Sequence, residues 1–183
     1  MSWFSSFSFY IRTLAWKGVK HWIRRSFPSV PTISTAQLAR WLAADPSTLP
    51  HLIDARKPEE YAVSHLLGAY RAKTIPEVDK LGISKDTPIV VYCSVGYRSA
   101  RLGQALRAAG YRAINLEGSI FQWANEHRPL VTEPLVTKGS VTGSLVTGQG
   151  PPIAEGTRAT HEVHPYNTFW GMLLNPNQPS ASR

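Results

Sequence analysis

The chain has 183 residues, 43% apolar and 17% charged, a length suited to one domain with extensions and a composition that excludes a wholly disordered, collagen-like or heptad-repeat protein. Its net charge of +8 is uneven, because residues 1–44 hold six Arg or Lys and no acid whereas the remainder carries 14 basic and 12 acidic groups. The body therefore lacks the broad cationic surface that binds a phosphate backbone, so no nucleic acid partner is expected, and the single cysteine, Cys93, excludes an intramolecular disulfide or Cys-rich zinc site and fits a reducing, cytoplasmic setting.

Residues 1–30 form a basic, aromatic segment. Residues 1–27 contain eight of the 19 aromatics together with Arg12, Lys17, Lys20, Arg24 and Arg25. At about 100° per residue, Phe4, Phe7, Ile11, Leu14, Ala15, Gly18 and Trp22 share one helix face. Ser6, Thr13, Lys17, Lys20 and Arg24 lie opposite, and Phe9, Trp16 and Ile23 fall off the apolar face. Arg12 and Lys17 interrupt any run of the roughly 20 apolar residues that a membrane span needs. The pattern predicts an amphipathic helix lying peripherally on an anionic membrane surface. The alternatives are an organellar transit peptide and an arm packed on its own domain or a partner. A secretory signal is disfavoured, since no compact apolar run leads to a small-residue cleavage site.

From residue 31 to 129 the pattern is that of alternating strands and helices. Ser34 and Gln37 have capping-box spacing ahead of Leu38, Trp41 and Leu42, which starts a helix. His51–Ala55, Ile89–Cys93 and Ala113–Leu116 read as strands, the second continuously apolar as a strand buried on both faces is. A helical stretch from Arg98 to Ala109 ends at Gly110. The succession predicts an α/β domain with a parallel sheet flanked by helices on both faces. In residues 130–160, Val-Thr recurs at 131, 136, 141 and 146, a Gly- and Thr-rich pattern that predicts a flexible linker. Residues 161–183 regain aromatic density around Tyr166, Phe169 and Trp170, which points to a tail that docks on the domain or on a partner.

Within the domain, the apolar run ends at Cys93, and a helix follows about five residues later. Amides of such a loop and the positive end of the following helix stabilise an anion, so they favour the thiolate of Cys93, which is the nucleophilic form. This reading expects the sulfur to be exposed at the mouth of a pocket. Gly96 would allow the turn and close ligand approach, and Arg98 would anchor the loop or face the ligand. An isolated cysteine at a buried strand end is otherwise a small core hydrophobe, and both readings stay open on these residues alone. Ser94, Val95, Gly96, Tyr97 and Arg98, with Arg56 after the preceding strand, are the expected substrate-binding residues. Asp54 reads as a structural partner and His65 as a packed histidine. No metal set emerges from the six histidines, and no cofactor is expected.

Across residues 31–129 the sequence resembles the rhodanese-homology family, the thiosulfate sulfurtransferases and their single-domain relatives. Cys93-Ser94-Val95-Gly96-Tyr97-Arg98-Ser99 is similar to the family's active-site loop. Ile53-Asp54-Ala55-Arg56, Glu60-Tyr61 and His65-Leu66-Leu67-Gly68-Ala69 are similar to its upstream signature. Glu117-Gly118-Ser119 and Trp123 resemble its C-terminal element, with Ser119 where a second glycine is usual, a position expected to touch no catalytic atom. The resemblance implies a sulfurtransferase in which Cys93 carries a persulfide between a small-molecule donor and a thiol, protein or cyanide acceptor. The loop lacks the Lys or Arg that some thiosulfate-using members carry beside the cysteine, which leaves the donor open between thiosulfate and a persulfide. Two other functions compete. One is a non-catalytic, membrane-associated adaptor or sulfur-carrier module. The other is a cysteine phosphatase, disfavoured because similar phosphatase loops place the arginine six residues after the cysteine rather than five.

Overall fold

The computed structural model describes residues 3–132 and 156–180, with side chains from residue 10 onward. Five parallel strands form one sheet in the order β1-β5-β4-β2-β3, comprising β1 (Thr32–Ile33), β2 (His51–Asp54), β3 (Ala69–Arg71), β4 (Pro88–Tyr92) and β5 (Arg112–Leu116). The helices are α1 (Trp3–Ser26), α2 (Thr35–Leu42), α3 (Pro58–Val63), α4 (Ile75–Asp79), α5 (Tyr97–Ala108), α6 (Ser119–Asn125) and α7 (Thr168–Gly171). A short antiparallel ladder, β6 (Leu130–Thr132) with β7 (Arg158–Thr160), lies outside the main sheet.

Successive side chains of a strand point to opposite faces, and β4 shows what this does for a central strand. Val90 and Tyr92 pack on one side with Leu38, Ile120 and Phe121. Ile89 and Val91 pack on the other with Val78, Leu102 and Leu106, and Cys93 continues that row. One face is thus covered by α2 and α6 and the other by α4 and α5, and this two-sided burial explains the unbroken apolar run of the sequence. The α2 helix starts where the capping box places it. Gln37 N–H donates to the Ser34 hydroxyl at 3.2 Å, and the Gln37 side chain accepts from Ser34 N–H at 3.0 Å.

The N-terminal segment is one helix, and it docks on the domain by a different stripe from the one expected. Trp16, Ile23 and Phe27 are buried, with Val19 packed beside them. The Trp16 indole donates to Leu173 O at 3.2 Å, and Arg24 and Lys20 approach Glu117 at 2.9 and 3.9 Å. Residues 16, 19, 23 and 27 make a helical stripe of their own, and it is the stripe that meets apolar surface. Ile11 (52% exposed) and Leu14 (66%) lie on the outward side. The side chains of Phe4, Phe7 and Phe9 lie outside the described residues. No helix among the described residues is long and apolar enough to cross a membrane.

The predicted linker begins and ends in ordered ladder positions, since Val131 bridges His65 and pairs with Ala159. The intervening residues 133–155, with the repeats at 136, 141 and 146, lie outside the described residues. The C-terminal tail packs on the domain through Val163, Leu173 and Leu174, all buried in the same core as Leu38 and Phe121. It is pinned by Asn125, whose side chain donates to Leu173 O at 2.8 Å and accepts from Asn175 N–H at 2.7 Å.

Candidate active site

Ligands of open parallel sheets bind beyond the carboxyl ends of the strands, and this edge gathers the segments after β2, β3, β4 and β5. Cys93 follows β4 directly, and residues 93–96 turn the chain into α5. The turn depends on Gly96, whose φ of +119° is poorly accessible to other residues. A Cβ there would also meet Ile23 Cδ1 at 3.4 Å and Asn115 Nδ2 at 3.6 Å.

The loop's peptide groups are oriented from outside. The α6 amides of Ile120 and Phe121 donate to Cys93 O and Ser94 O, each at 3.1 Å, so these two carbonyls point away towards α6. Gly96 N–H points inward and donates to Cys93 Sγ at 3.2 Å. The Ser99 hydroxyl lies 3.5 Å from Sγ and 2.7 Å from Asn115 Oδ1. Ser119, expected to touch no catalytic atom, instead accepts from Cys93 N–H at 3.2 Å and donates to Leu116 O at 3.0 Å. It does so at a φ of +50°, so a left-handed conformation that favours glycine is held by a serine whose hydroxyl fixes the backbone at Cys93.

The sulfur is not exposed at a pocket mouth. Cys93 is 1% exposed and belongs to the same buried apolar cluster as Ile53, Ala55 and Leu102, while Gly96 N–H and the Ser99 hydroxyl lie near its sulfur. The loop is wrapped around it tightly enough to exclude solvent, while the Gly96 amide still donates to the sulfur.

Arg98 closes the loop. Its guanidinium grips Glu60 with two bonds, Nη1 to Oε2 at 2.8 Å and Nη2 to Oε1 at 2.7 Å, and Nη2 also reaches the Ser94 hydroxyl at 2.8 Å. Ser94 donates in turn to Glu60 Oε1 at 2.9 Å. Glu60 itself is held by the first turn of α3, accepting from Lys57 N–H at 3.0 Å. Burial pushes the Glu60 carboxyl up. The Arg98 bonds, the Lys57 amide and the Ser94 hydroxyl outweigh that and hold it at about 2.

The side chains of three expected substrate-binding residues are directed elsewhere. Arg56 is fully buried, with Nε 2.9 Å and Nη2 2.6 Å from Asp54 and Nη2 2.5 Å from Ser64 O, so it supports the loop after β2 from below. Val95 points into the core with Leu116 and Ile120. The Tyr97 ring is held outside the loop, stacked on Trp22 at 4.8 Å and edge-on to Phe27 at 5.1 Å. Ser94, Gly96 and Arg98 do surround Cys93, together with Glu60, Ser99, Asn115 and Ser119, which the sequence reading did not assign. Among the described residues no three His, Cys, Asp or Glu side chains converge on a metal position.

Beside the loop, a cleft of about 540 Å³ opens between the segments after β2 and β3 and the first turns of α5. Ala55 and Leu102 line it and belong to the same buried cluster as Cys93, and Arg98 of the loop forms part of its wall.

The depressed Glu60 carboxyl gives a pH signature. A group lowered from 4.5 to about 2 stabilises the fold above its unfolded value and loses that contribution as pH falls from about 4.5 to about 2, on the order of 3 kcal/mol at most. The wild-type melting temperature should therefore drop more steeply across this interval than that of Glu60→Gln. Parallel curves for the two proteins would show that the carboxylate carries no such linkage.

The family model of the rhodanese-like domain matches residues 34–126. Among curated proteins, the putative sulfurtransferase YtwF of Bacillus subtilis is 33% identical over 102 residues, covering 55% of this chain and 96% of the relative. The probable adenylyltransferase/sulfurtransferase MoeZ of Mycobacterium tuberculosis is 34% identical over 102 residues, covering 54% of this chain, which spans only 26% of that longer protein. A solved thiosulfate sulfurtransferase of Pseudomonas aeruginosa shares the fold, with a TM-score of 0.54 at 18% identity over 69% of this chain and 25% of that one. A match over half the chain, with a relative covered almost end to end, makes this protein a member of the rhodanese-like domain family.

Proposed function

We propose that the chain is a sulfurtransferase working through a persulfide on Cys93. The observation that carries this reading is the placement of Sγ inside the Cys93–Arg98 loop, where Gly96 N–H and the Ser99 hydroxyl meet it and the Glu60–Arg98 pair closes the ring. The Cys93 thiolate attacks the sulfane sulfur of thiosulfate or a persulfide donor. The donor's S–S bond breaks, its electron pair leaves with sulfite or the donor thiolate, and the transferred sulfur stays on Sγ as an anionic persulfide. Fixed donors lower the energy of that charge without reorganising. An acceptor thiolate or cyanide then attacks the outer sulfur and returns the electron pair to Sγ.

Loop size favours sulfur over phosphorus. The Glu60–Arg98 pair leaves the arginine no free fork for a tetrahedral phosphoryl group, because both of its terminal nitrogens are occupied. Thiosulfate-to-cyanide or persulfide-to-thiol turnover by the wild type, with loss of at least about a thousandfold in Cys93→Ser, is the expected result. Equal, negligible rates for both would leave the adaptor or carrier reading in its place.

A second reading concerns where the chain works. The outward side of α1 presents Tyr10 (67% exposed), Ile11 and Leu14, followed by the exposed Lys17 and Arg25. An apolar row among cations with no acid suits a peripheral helix on anionic lipid. Vesicles containing anionic lipid should pellet the wild type, less so at high salt and much less with Ile11→Asp and Leu14→Asp together. Equal pelleting of both proteins would count against the membrane assignment. Because these side chains are exposed, the double variant leaves the docked face of α1 intact.

A further inference from the structure

We propose, building on the sulfurtransferase reading, that the cleft beside the loop binds the sulfur acceptor and selects a small thiol carrying two carboxylates. At about 540 Å³ the cleft is the size of a small-molecule site, and it lies where parallel sheets bind ligands. Its charged lining consists of Lys57, Lys73, Arg98 and Arg101, with no acidic residue.

Two of these cations are already committed, Arg98 to Glu60 and Lys57 to Glu59 at 3.6 Å. Lys73, after β3, and Arg101, one turn into α5, have no carboxylate partner within 4.0 Å among the described residues. They stand on different elements bordering one cavity, so a ligand with two separated carboxylates can engage both. The reaction gives such a ligand a reason to be selected. An acceptor thiolate approaching an anionic persulfide is repelled by it, and two uncommitted cations at the entrance offset the accumulating negative charge. The thiolate attacks the outer sulfur, the persulfide S–S bond breaks, and its electron pair returns to Sγ, so no oxidant or reductant is consumed.

The remaining wall comes from the C-terminal tail. Tyr166 lines the cleft and lies over the Arg98 guanidinium at 4.4 Å. It takes a φ of +63°, an uncommon conformation for an aromatic residue. A tight turn holds it there, in which Tyr166 N–H donates to His164 Nδ1 at 3.0 Å and Asn167 N–H to Pro165 O at 2.7 Å. The tail therefore covers the committed arginine with a ring and leaves Lys73 and Arg101 as the cations open to the ligand.

The test is calorimetric titration of the full chain bearing Cys93→Ser, which binds without reacting. The probes are mercaptosuccinate, a thiol with two carboxylates, and neutral mercaptoethanol. Mercaptosuccinate should bind, and Lys73→Ala with Arg101→Ala should weaken it about tenfold, the effect of removing two exposed charge contacts. Mercaptoethanol should show no comparable binding to either protein. Unchanged affinity in the double variant, equal binding of the neutral thiol, or no binding of mercaptosuccinate at millimolar concentration would overturn the assignment. Charge-selective binding by a chain that transfers no sulfur would support the cleft and sink only the reaction assigned to it.

Discussion

The site depends on one ion pair, Glu60 with Arg98. Glu60 is 1% exposed, and a buried carboxylate without partners would cost several kcal/mol. It is held by two guanidinium bonds, a backbone amide and a serine hydroxyl. That arrangement joins the first turn of α3 to the first turn of α5 across 38 residues of sequence. A loop of short polar and small residues has little core of its own. Fixing both its ends lets the Gly96 amide remain aimed at the sulfur instead of turning to solvent.

The extensions reach the same loop from two sides. Tyr97 is gripped by Trp22 of α1 and Phe27 just after it, and Arg98 lies beneath Tyr166 of the tail. The two extensions also hold each other, through the Trp16 indole on Leu173 O and Arg12 on Leu174 O at 3.4 Å. Residues on both flanks of the family domain therefore hold the side chains that follow the Cys93 turn. The tail's Tyr166 also lines the cleft beside the loop, so the C-terminal extension shapes that cleft as well.

Much of this arrangement was legible because it is local. The Ser34–Gln37 box, the apolar run of β4, and the spacing from Cys93 through Gly96 to Arg98 each follow from neighbouring residues. What stayed hidden depends on distant partners. Arg98 has the same local signal whether it faces a ligand or a carboxylate, and only the fold brings Glu60 to it. Val95 and Tyr97 belong to the same motif as Ser94, yet the turn directs them into the core and towards α1. Asp54 reads as structural and Arg56, two residues on, as substrate-binding, whereas the fold buries both and pairs them with each other. In α1, aromatic and aliphatic residues occupy more than one face, so composition alone ranked the outward stripe above the stripe at 16, 19, 23 and 27 that docks. Ser119 read as a missing glycine because its backbone role was visible and its hydroxyl's role was not.

The most direct measurement is peptide mass spectrometry of Cys93 after brief incubation of the native protein with a sulfane-sulfur donor at neutral pH, alongside a Glu60→Gln variant confirmed as folded by circular dichroism. A closed loop that stabilises the outer sulfur predicts one added sulfur atom on Cys93 in the wild type and little on the variant. An unmodified Cys93 in the wild type, or equal sulfur loading in both proteins, would contradict the account.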